Sequence, residues 1–419
     1  MRNHTKYSPQ TKHGASSVAR QALNLVTILI LAVAPILSNP NSTAKVSAET
    51  TTGLPDISQL SLKSVQRLLI ISPHPDDETI APGGLIQAAL ANGSEVRVVI
   101  VTNGDGQFMA PVIFGMEDAL TPAGYIAMGE RRQAESLKAL EQLGIPAENI
   151  LFLGYPDRGI EPMLHENWDE AHPYTAPFTR TVNSPYSNNF TPGAAHCGAG
   201  LFSDLETILS SYRPDLIVLP HPADQHSDHQ AASAFTSLAV AAVQSDDFTY
   251  HPQLWAYLVH YGKYPESPAN DPSDGFVPPS DLAGANNSWG SLTLTPAQVS
   301  NKNTAIQAYP TQTLLLGNFL PDFARANEIF MLLSAQDPAV VMPEITSKEI
   351  PPFTSAELLP MNANPLPSLD INQVIRLIQF NGKESIYQQA EWGYAGAETI
   401  LWDWLRADIR IGAVPASSN

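Results

Sequence analysis

The chain of 419 residues contains a single cysteine, Cys197, which excludes an intramolecular disulfide, so core burial must stabilise the fold. Basic residues are also scarce: 22 Lys and Arg stand against 41 Asp and Glu, and the formal net charge is −19. This excess of acid argues against nucleic acids and other polyanions as partners. The glycine-rich phosphate-binding patterns G-x-G-x-x-G and G-x-x-x-x-G-K-[S/T] are absent, so nucleotide sites of those kinds are not predicted.

Long hydrophobic runs are absent as well, apart from residues 22–37 near the N-terminus. That run follows a basic region without acidic residues and is shorter than the ~20 residues needed to cross a bilayer. With the small residues Val46, Ser47 and Ala48, the pattern predicts a cleaved signal peptide over residues 1–48. A signal anchor is the alternative, because the small residues lie some distance beyond the apolar run. Both alternatives predict export (secreted, periplasmic or extracellular), with membrane contact only if the segment stays uncleaved.

Removal of residues 1–48 would change the net charge from −19 to −24, because that segment holds five basic residues and no acidic ones. Such an acidic surface is compatible with a small-molecule or glycan substrate that is neutral or carries an amine. The remainder is large for one hydrophobic core. We therefore expect one domain with insertions over residues 49–335, and a C-terminal extension of unknown role over residues 336–419.

Short apolar segments alternate with helical segments along the middle of the chain. This alternation predicts an α/β fold, with a Rossmann-like, mostly parallel sheet and helices on both of its faces. The predicted strands are 67–72, 95–102, 149–154, 215–220 and 253–260. The predicted helices are 79–92, 125–142, 203–212 and 229–243. Two Pro-rich stretches, 156–200 and 262–300, are predicted to be long loop insertions near the substrate.

The first of these strands leads directly into a cluster of ionisable residues. It is followed by the sequence His74-Pro75-Asp76-Asp77-Glu78. In open α/β sheets, ligands bind beyond the carboxyl ends of the strands. Three consecutive acids repel one another there unless a cation or a proton transfer uses them. A polar loop with an acidic helix cap is the alternative explanation.

A second cluster follows the strand 215–220 and supports the functional explanation. It contains His226-Ser227-Asp228-His229, at the start of a helical segment. Imidazole and carboxylate groups are ordinary zinc ligands, and a catalytic zinc site keeps three protein ligands and one open position. A closed structural site would need more cysteine than this chain has. The two clusters therefore predict one Zn²⁺ per chain, or another divalent metal, and metal-assisted hydrolysis.

Together, these two motifs resemble the signature motifs of the PIG-L/LmbE-like family of zinc-dependent N-acetylglucosaminyl deacetylases. Weaker agreements occur at 130–144, at 153–157, and at Lys302, Tyr309 and Gln312, so that the resemblance covers roughly residues 65–335. It implies a zinc-dependent N-deacetylase that acts on an N-acetylglucosamine-type sugar or glycoconjugate, and the N-terminal segment adds the prediction that this enzyme is exported.

The resemblance also implies roles for individual residues. His74, Asp77 and His229 would bind the metal, and Asp76 would be the general base. His226 would stabilise the oxyanion or protonate the leaving amine, and Asp228 would orient or tune His226. A purely positional role is the alternative for His226, and a helix cap is the alternative for Asp228.

Five further residues are candidates near the same site. Glu78 is expected to cap the following helix or to brace a metal ligand. Arg131 and Arg132, on the helix 125–142, and Asp157 and Arg158, after the third strand, are candidates for substrate binding. For Arg131 and Arg132, a surface salt bridge is the alternative.

Two other functions compete with the deacetylase. One is a non-catalytic, exported metal- or carbohydrate-binding protein on the same scaffold, which would have no use for a spare carboxylate such as Asp76. The other is a hydrolase of a different amide, because the loops that would choose the substrate match the family least.

Overall fold

A computed structural model describes residues 57–265, 275–283 and 288–333. The predicted signal segment 1–48 and the C-terminal extension 336–419 lie outside these residues and stay predictions; N-terminal sequencing of the mature protein would test the first. Within the described residues, none of the helices has the length and hydrophobicity that a membrane span requires.

The described residues form a mixed α/β fold around one eight-stranded sheet. Its strands are β1 (Ser58–Gln59), β2 (Arg67–Ser72), β3 (Glu95–Thr102), β4 (Ile150–Tyr155), β5 (Leu216–Pro220), β6 (Gln253–Tyr257), β7 (Ser288–Thr293) and β8 (Asn327–Leu333). Their order across the sheet is β1-β7-β8-β6-β5-β2-β3-β4. Every neighbouring pair is parallel except the two pairs that β8 makes, with β6 and β7. The predicted, mostly parallel α/β sheet is confirmed.

Helices connect the strands and cover the sheet. They are α1 (Asp77–Ile80), α2 (Gly83–Ala91), α3 (Ala110–Ile113), α4 (Pro122–Leu143), α5 (Ile160–His165), α6 (Gly198–Tyr212), α7 (Ser227–Asp246), α8 (Pro296–Ile306) and α9 (Pro310–Leu316). Consecutive residues of β5 are all buried, as are Leu68 to Ser72 of β2. Because neighbouring side chains of a strand point to opposite faces, both faces of the sheet must be covered there.

The sequence predictions differ from the structure in three places. The predicted helix 79–92 is two helices, α1 and α2, separated at Pro82, which cannot donate a backbone hydrogen bond inside a helix. The predicted loop 262–300 is wrong in its last part, which contains β7 and the start of α8. β7 has a weak strand sequence, Ser-Trp-Gly-Ser-Leu-Thr, and its pairing with β8 decides its conformation. The predicted loop 156–200 includes α5 and the first turn of α6.

The strand order places the two motifs side by side. β2 and β5 are adjacent and parallel in the centre of the sheet, with Leu68 opposite Leu216. The residues after Ser72 and after Pro220 therefore leave the sheet at the same edge, although about 150 residues separate them in sequence. β6 lies on the other side of β5, so the segment after Tyr257 emerges at this edge as well.

Candidate functional site

Three donor atoms from the two motifs lie at nearly equal distances from one another. His74 Nδ1 is 3.3 Å from Asp77 Oδ2, Asp77 Oδ2 is 3.2 Å from His229 Nε2, and His229 Nε2 is 3.3 Å from His74 Nδ1. All three side chains are buried. We call these three residues the donor triangle.

The donor triangle fits a zinc ion. With zinc–nitrogen and zinc–oxygen bonds of about 2.0–2.1 Å, the ligand atoms of a tetrahedral site are about 3.3 Å apart. Two imidazole nitrogens and one carboxylate oxygen are ordinary zinc donors. Three further groups that include members of the triangle are also close enough to share a cation: His74 with His226 and His229, Asp77 with His229 and His260, and His74 with Asp157 and Asp228.

Carboxylates surround the triangle and favour positive charge in it. Burial by itself lowers the pKa of His229, but Asp77 and Asp224 raise it to about 10. Burial likewise opposes protonation of His74, but Asp157, Asp228 and Asp77 raise its pKa well above the usual value. Metal binding requires both histidines to be neutral. A divalent cation in the triangle would therefore displace these protons and supply the positive charge in their place.

Asp76 and Asp77 are neighbours in sequence, but their carboxylates have different partners. Asp77 begins α1 and belongs to the donor triangle, whereas Asp76 Oδ2 lies 3.3 Å from Arg132 Nη2. Asp76 has a φ of 151°, which residues other than glycine rarely adopt. Burial raises the pKa of Asp76 to about 8, with Arg132 opposing the shift and the Asp77 and Glu78 carboxylates adding to it.

Glu78 holds this turn in place. One of its oxygens accepts hydrogen bonds from Ser72 Oγ at 2.8 Å and from the backbone N–H of Asp76 at 3.0 Å. The other accepts from Ser136 Oγ at 2.8 Å and from Tyr309 Oη at 2.7 Å. Glu78 therefore links β2, α4 and the segment before α9 to the backbone of Asp76. Its full burial raises the pKa of the Glu78 carboxyl.

In the second motif, Asp228 contacts His226 through its backbone N–H and not through its carboxylate. His226 caps α7, because its Nδ1 accepts a hydrogen bond from the backbone N–H of Asp228 at 3.2 Å. The Asp228 carboxylate lies 3.2 Å from His74 Nε2 and accepts backbone hydrogen bonds from Arg158 and Ile160. Asp228 was expected to orient His226; its backbone N–H contacts that ring, whereas its carboxylate contacts the ring of His74.

Of the two arginines on α4, one faces the site. Arg132 is buried and donates to the carbonyl oxygens of Gly104 and Pro75 as well as to Asp76. Arg131 lies about a third exposed, 3.4 Å from Glu135, and is not part of the cleft. Adjacent helix positions point about 100° apart, so only one of them can face the sheet edge. Arg131 therefore forms the ion pair with Glu135 and does not line the cleft.

Asp157 and Arg158 both reach the cleft from the loop after β4. Asp157 Oδ1 is 3.5 Å from His74 Nε2, and its Oδ2 accepts from the backbone N–H of Gly106 at 2.9 Å. Arg158 has a left-handed φ of 64°, and its backbone N–H donates to Asp228 at 2.7 Å. Both stay candidates for substrate binding.

Two site residues, Asp224 and His260, were missed. Asp224 Oδ2 lies 3.4 Å from His229 Nδ1, at ion-pair distance although outside hydrogen-bonding geometry, and accepts from the backbone N–H groups of Val259 and His260. Its Oδ1 accepts from the backbone N–H of His226 at 3.0 Å. His260 follows β6, and its ring centroid lies 4.9 Å from that of His229. A histidine at the end of the predicted strand 253–260 was a signal that could have revealed it.

The donor triangle opens into a cleft of about 580 Å³, including its mouth. Its lining contains a polar and an apolar set of side chains. We call the polar set, Asp76, Arg132, Asp157, Arg158 and His226, the polar wall. We call the apolar set, Val259, Leu316, Phe319 and Leu320, the apolar wall; Ile80, Gln107, His260 and Gln312 also line the cleft.

Comparisons with known proteins agree with this site. The PIG-L family model, described as GlcNAc-PI de-N-acetylase, matches residues 69–240, which include both motifs. A 1D-myo-inositol 2-acetamido-2-deoxy-alpha-D-glucopyranoside deacetylase of Mycobacterium sp. (strain KMS) is 31% identical over 194 residues, covering 45% of this chain and 54% of that protein. The protein of the same description from Tsukamurella paurometabola is 32% identical over 187 residues, covering 42% and 56%.

The chain therefore spans about half the length of the curated relatives it matches. Among solved structures, the N,N'-diacetylchitobiose deacetylase from Pyrococcus horikoshii is similar over 65% of this chain and 86% of that one, with 19% identity and a TM-score of 0.42. The family match spans β2 to α7 and both halves of the donor triangle. Residues 69–240 of this chain form a domain of the PIG-L family.

Proposed function

We propose that this protein is a zinc-dependent hydrolase that removes acetyl from an N-acetylated amino sugar or from a glycoconjugate that carries one. The observation that carries the proposal is the donor triangle, with the Asp76 carboxylate beside it, outside the triangle and 3.3 Å from Arg132 Nη2. The acetamido sugar as substrate class is supported by the family description and by the named activity of the relatives.

His74, Asp77 and His229 would hold the metal. Zinc, when bound, supplies a Lewis acid that polarises an amide carbonyl and lowers the pKa of water to about 7. Asp76 then accepts the proton of the attacking water. The pKa of Asp76 falls when a dication occupies the triangle, because a nearby positive charge favours the ionised carboxylate. Arg132 contributes to the same effect and holds the carboxylate towards the cleft.

His226 is suited to stabilise the oxyanion. Burial, together with His74 and His229, lowers the pKa of His226 to about 4, so the ring is neutral at pH 7. Its Nδ1 accepts the Asp228 backbone hydrogen bond, so its single proton lies on Nε2. A neutral ring with a fixed Nε2–H donates a hydrogen bond to the charge that develops on the carbonyl oxygen. The proton taken up by Asp76 can then pass to the leaving amine as the C–N bond breaks.

The test is to measure zinc content and acetate release together. We expect about one zinc per chain and acetate release from at least one member of a panel of N-acetylated mono-, oligo- and polysaccharides. His229→Gln is expected to lower zinc content and acetate release by at least about 100-fold, because it removes one of three ligands. His165→Gln, an exposed histidine of α5, is the matched control and should change neither.

Three outcomes would contradict the proposal in different ways. Protein without stoichiometric zinc after purification and zinc loading would reject the metal site. Stoichiometric zinc without hydrolysis of any panel member would favour the metal- or carbohydrate-binding alternative. Hydrolysis of other amides, but not of acetamido sugars, would reject the substrate class and keep the chemistry.

Asp224→Asn is expected to weaken zinc binding about 10- to 100-fold. A carboxylate beside the outer nitrogen of a ligating histidine orients the ring and increases its basicity. Asp224 also fixes the backbone of His226 and His260, so the variant should shift both KM and kcat. Competition with a chromophoric chelator measures the affinity directly. Asp246→Asn, at an exposed position of α7, is the control, and an unchanged affinity in Asp224→Asn would show that Asp224 has only a structural role.

A further inference from the structure

We propose that the cleft accepts N-acyl groups longer than acetyl, and that Leu316, Phe319 and Leu320 form the acyl site. The inference rests on the proposed function, because it concerns the acyl half of the amide that this site would hydrolyse. Water would add its hydroxyl to the acyl carbon and its hydrogen to the amine, releasing a short-chain carboxylic acid and the free amino sugar.

The two walls of the cleft adjoin different members of the donor triangle. On the His74 side lie the Asp157 carboxylate, at 3.5 Å, and the Asp228 carboxylate, at 3.2 Å. On the His229 side lies the ring of His260, at a centroid distance of 4.9 Å. Phe319 stacks on His260 with parallel rings and a centroid distance of 5.6 Å. Only the ring of His260 therefore separates Phe319 of the apolar wall from His229, a predicted metal ligand.

An N-acylated sugar has two unlike halves, and the walls match them. The sugar presents hydroxyls that need hydrogen-bond partners when they leave water. Carboxylate and guanidinium groups supply such partners on the polar wall, at Asp157 and Arg158. When the amide carbon lies at the triangle and the sugar on the polar wall, the acyl chain is directed towards Phe319.

The apolar wall is more extensive than one methyl group requires. Leu316 and Phe319 are only partly buried, although both line the cleft, whereas Val259 and Leu320, which also line it, are fully buried. Gly317 adopts a left-handed φ of 59° between them, which lets the chain turn at the end of α9 and brings Leu316 and Phe319 to the same cleft. An acetyl group would leave part of this surface in water, whereas a longer acyl chain would cover it.

A series of N-acylglucosamines with acetyl, propionyl, butyryl and hexanoyl groups tests the inference. We expect kcat/KM to rise about fourfold for each methylene that becomes buried, or at least about tenfold from acetyl to butyryl. Leu316→Phe, which fills the wall, is expected to lower the hexanoyl-to-acetyl ratio of kcat/KM at least about tenfold. Leu314→Phe, on the same helix but 71% exposed and outside the cleft, should leave that ratio unchanged.

The outcomes separate this inference from the proposed function. Hydrolysis of the acetyl compound alone would overturn the acyl site and leave the proposed deacetylase standing. Hydrolysis of none of the series, or of any other acylated sugar, would overturn the proposed function itself. An equal loss for every chain length in Leu316→Phe would identify the apolar wall as a platform for the sugar and would also overturn the inference.

Discussion

Asp76→Asn is expected to lower kcat for acetamide hydrolysis about 10²- to 10⁴-fold while zinc stays bound. Asparagine keeps the size of the side chain but cannot take a proton from water, and a general base contributes about this factor. Asp76 is not a member of the donor triangle, so zinc content should be unaffected. Steady-state kinetics combined with metal analysis of the same preparation measures both quantities.

The base assignment has a control within the same motif. Asp77→Asn is expected to lower zinc affinity, because Asp77 Oδ2 lies within 3.3 Å of both histidine nitrogens. The two adjacent substitutions should therefore give different results, one affecting turnover and the other affecting metal content. Asp76→Asn with full zinc and unchanged kcat would exclude Asp76 as the base.

Lys302→Met is expected to lower the free energy of unfolding by about 3–5 kcal/mol. Lys302 Nζ lies 2.6 Å from Glu328 Oε1, and both side chains are almost completely buried. Burial lowers the pKa of Lys302, and Glu328 opposes that shift. Removal of one partner leaves the other charge buried and uncompensated, which is more costly than the loss of the pair itself. Urea unfolding followed by circular dichroism measures the change.

Glu328 has a second function, which makes a double variant informative. Its two oxygens accept hydrogen bonds from the backbone N–H groups of Gly84 and Leu85 at the start of α2. Lys302→Met combined with Glu328→Gln removes the uncompensated negative charge of Glu328 and keeps an acceptor for a backbone N–H at the start of α2. The double variant should therefore recover part of the lost free energy of unfolding. Lys138→Met, at an exposed position of α4, is the control. A loss below about 1 kcal/mol in Lys302→Met would show that the ion pair stabilises little.

The centre of the fold could be predicted from the sequence because its signals are local. β2 and β3 have the predicted bounds, since uninterrupted apolar runs that end at Ser72 and Thr102 mark buried strands. The parallel arrangement follows from the alternation with helices, and it places the residues after β2 and β5 at the same edge. The proximity of the two motifs could therefore be predicted from the sequence, whereas the choice of His74, Asp77 and His229 within them rested on the family resemblance.

The details that could not be predicted depend on contacts between distant segments. The Asp228 carboxylate lies beside His74, 154 residues away, and nothing in the local sequence favours His74 over His226 as its partner. Asp224 acts through backbone groups after β6, which only the sheet order brings near. Similarly, β7 forms because β8 is inserted antiparallel between it and β6. The choice between Arg131 and Arg132 depends on the rotation of α4, which a single sequence does not specify.

The position of the apolar wall has a consequence for how this scaffold can change. The donor triangle is attached to two central strands, whereas most of the wall belongs to residues 316–320, the last residue of α9 and the four residues after it. The reacting groups and the groups that would discriminate among acyl chains are therefore separate units of the polypeptide. Replacement of this one segment by sequences of different bulk should yield a set of hydrolases that share a metal and a base but differ in the acid they release.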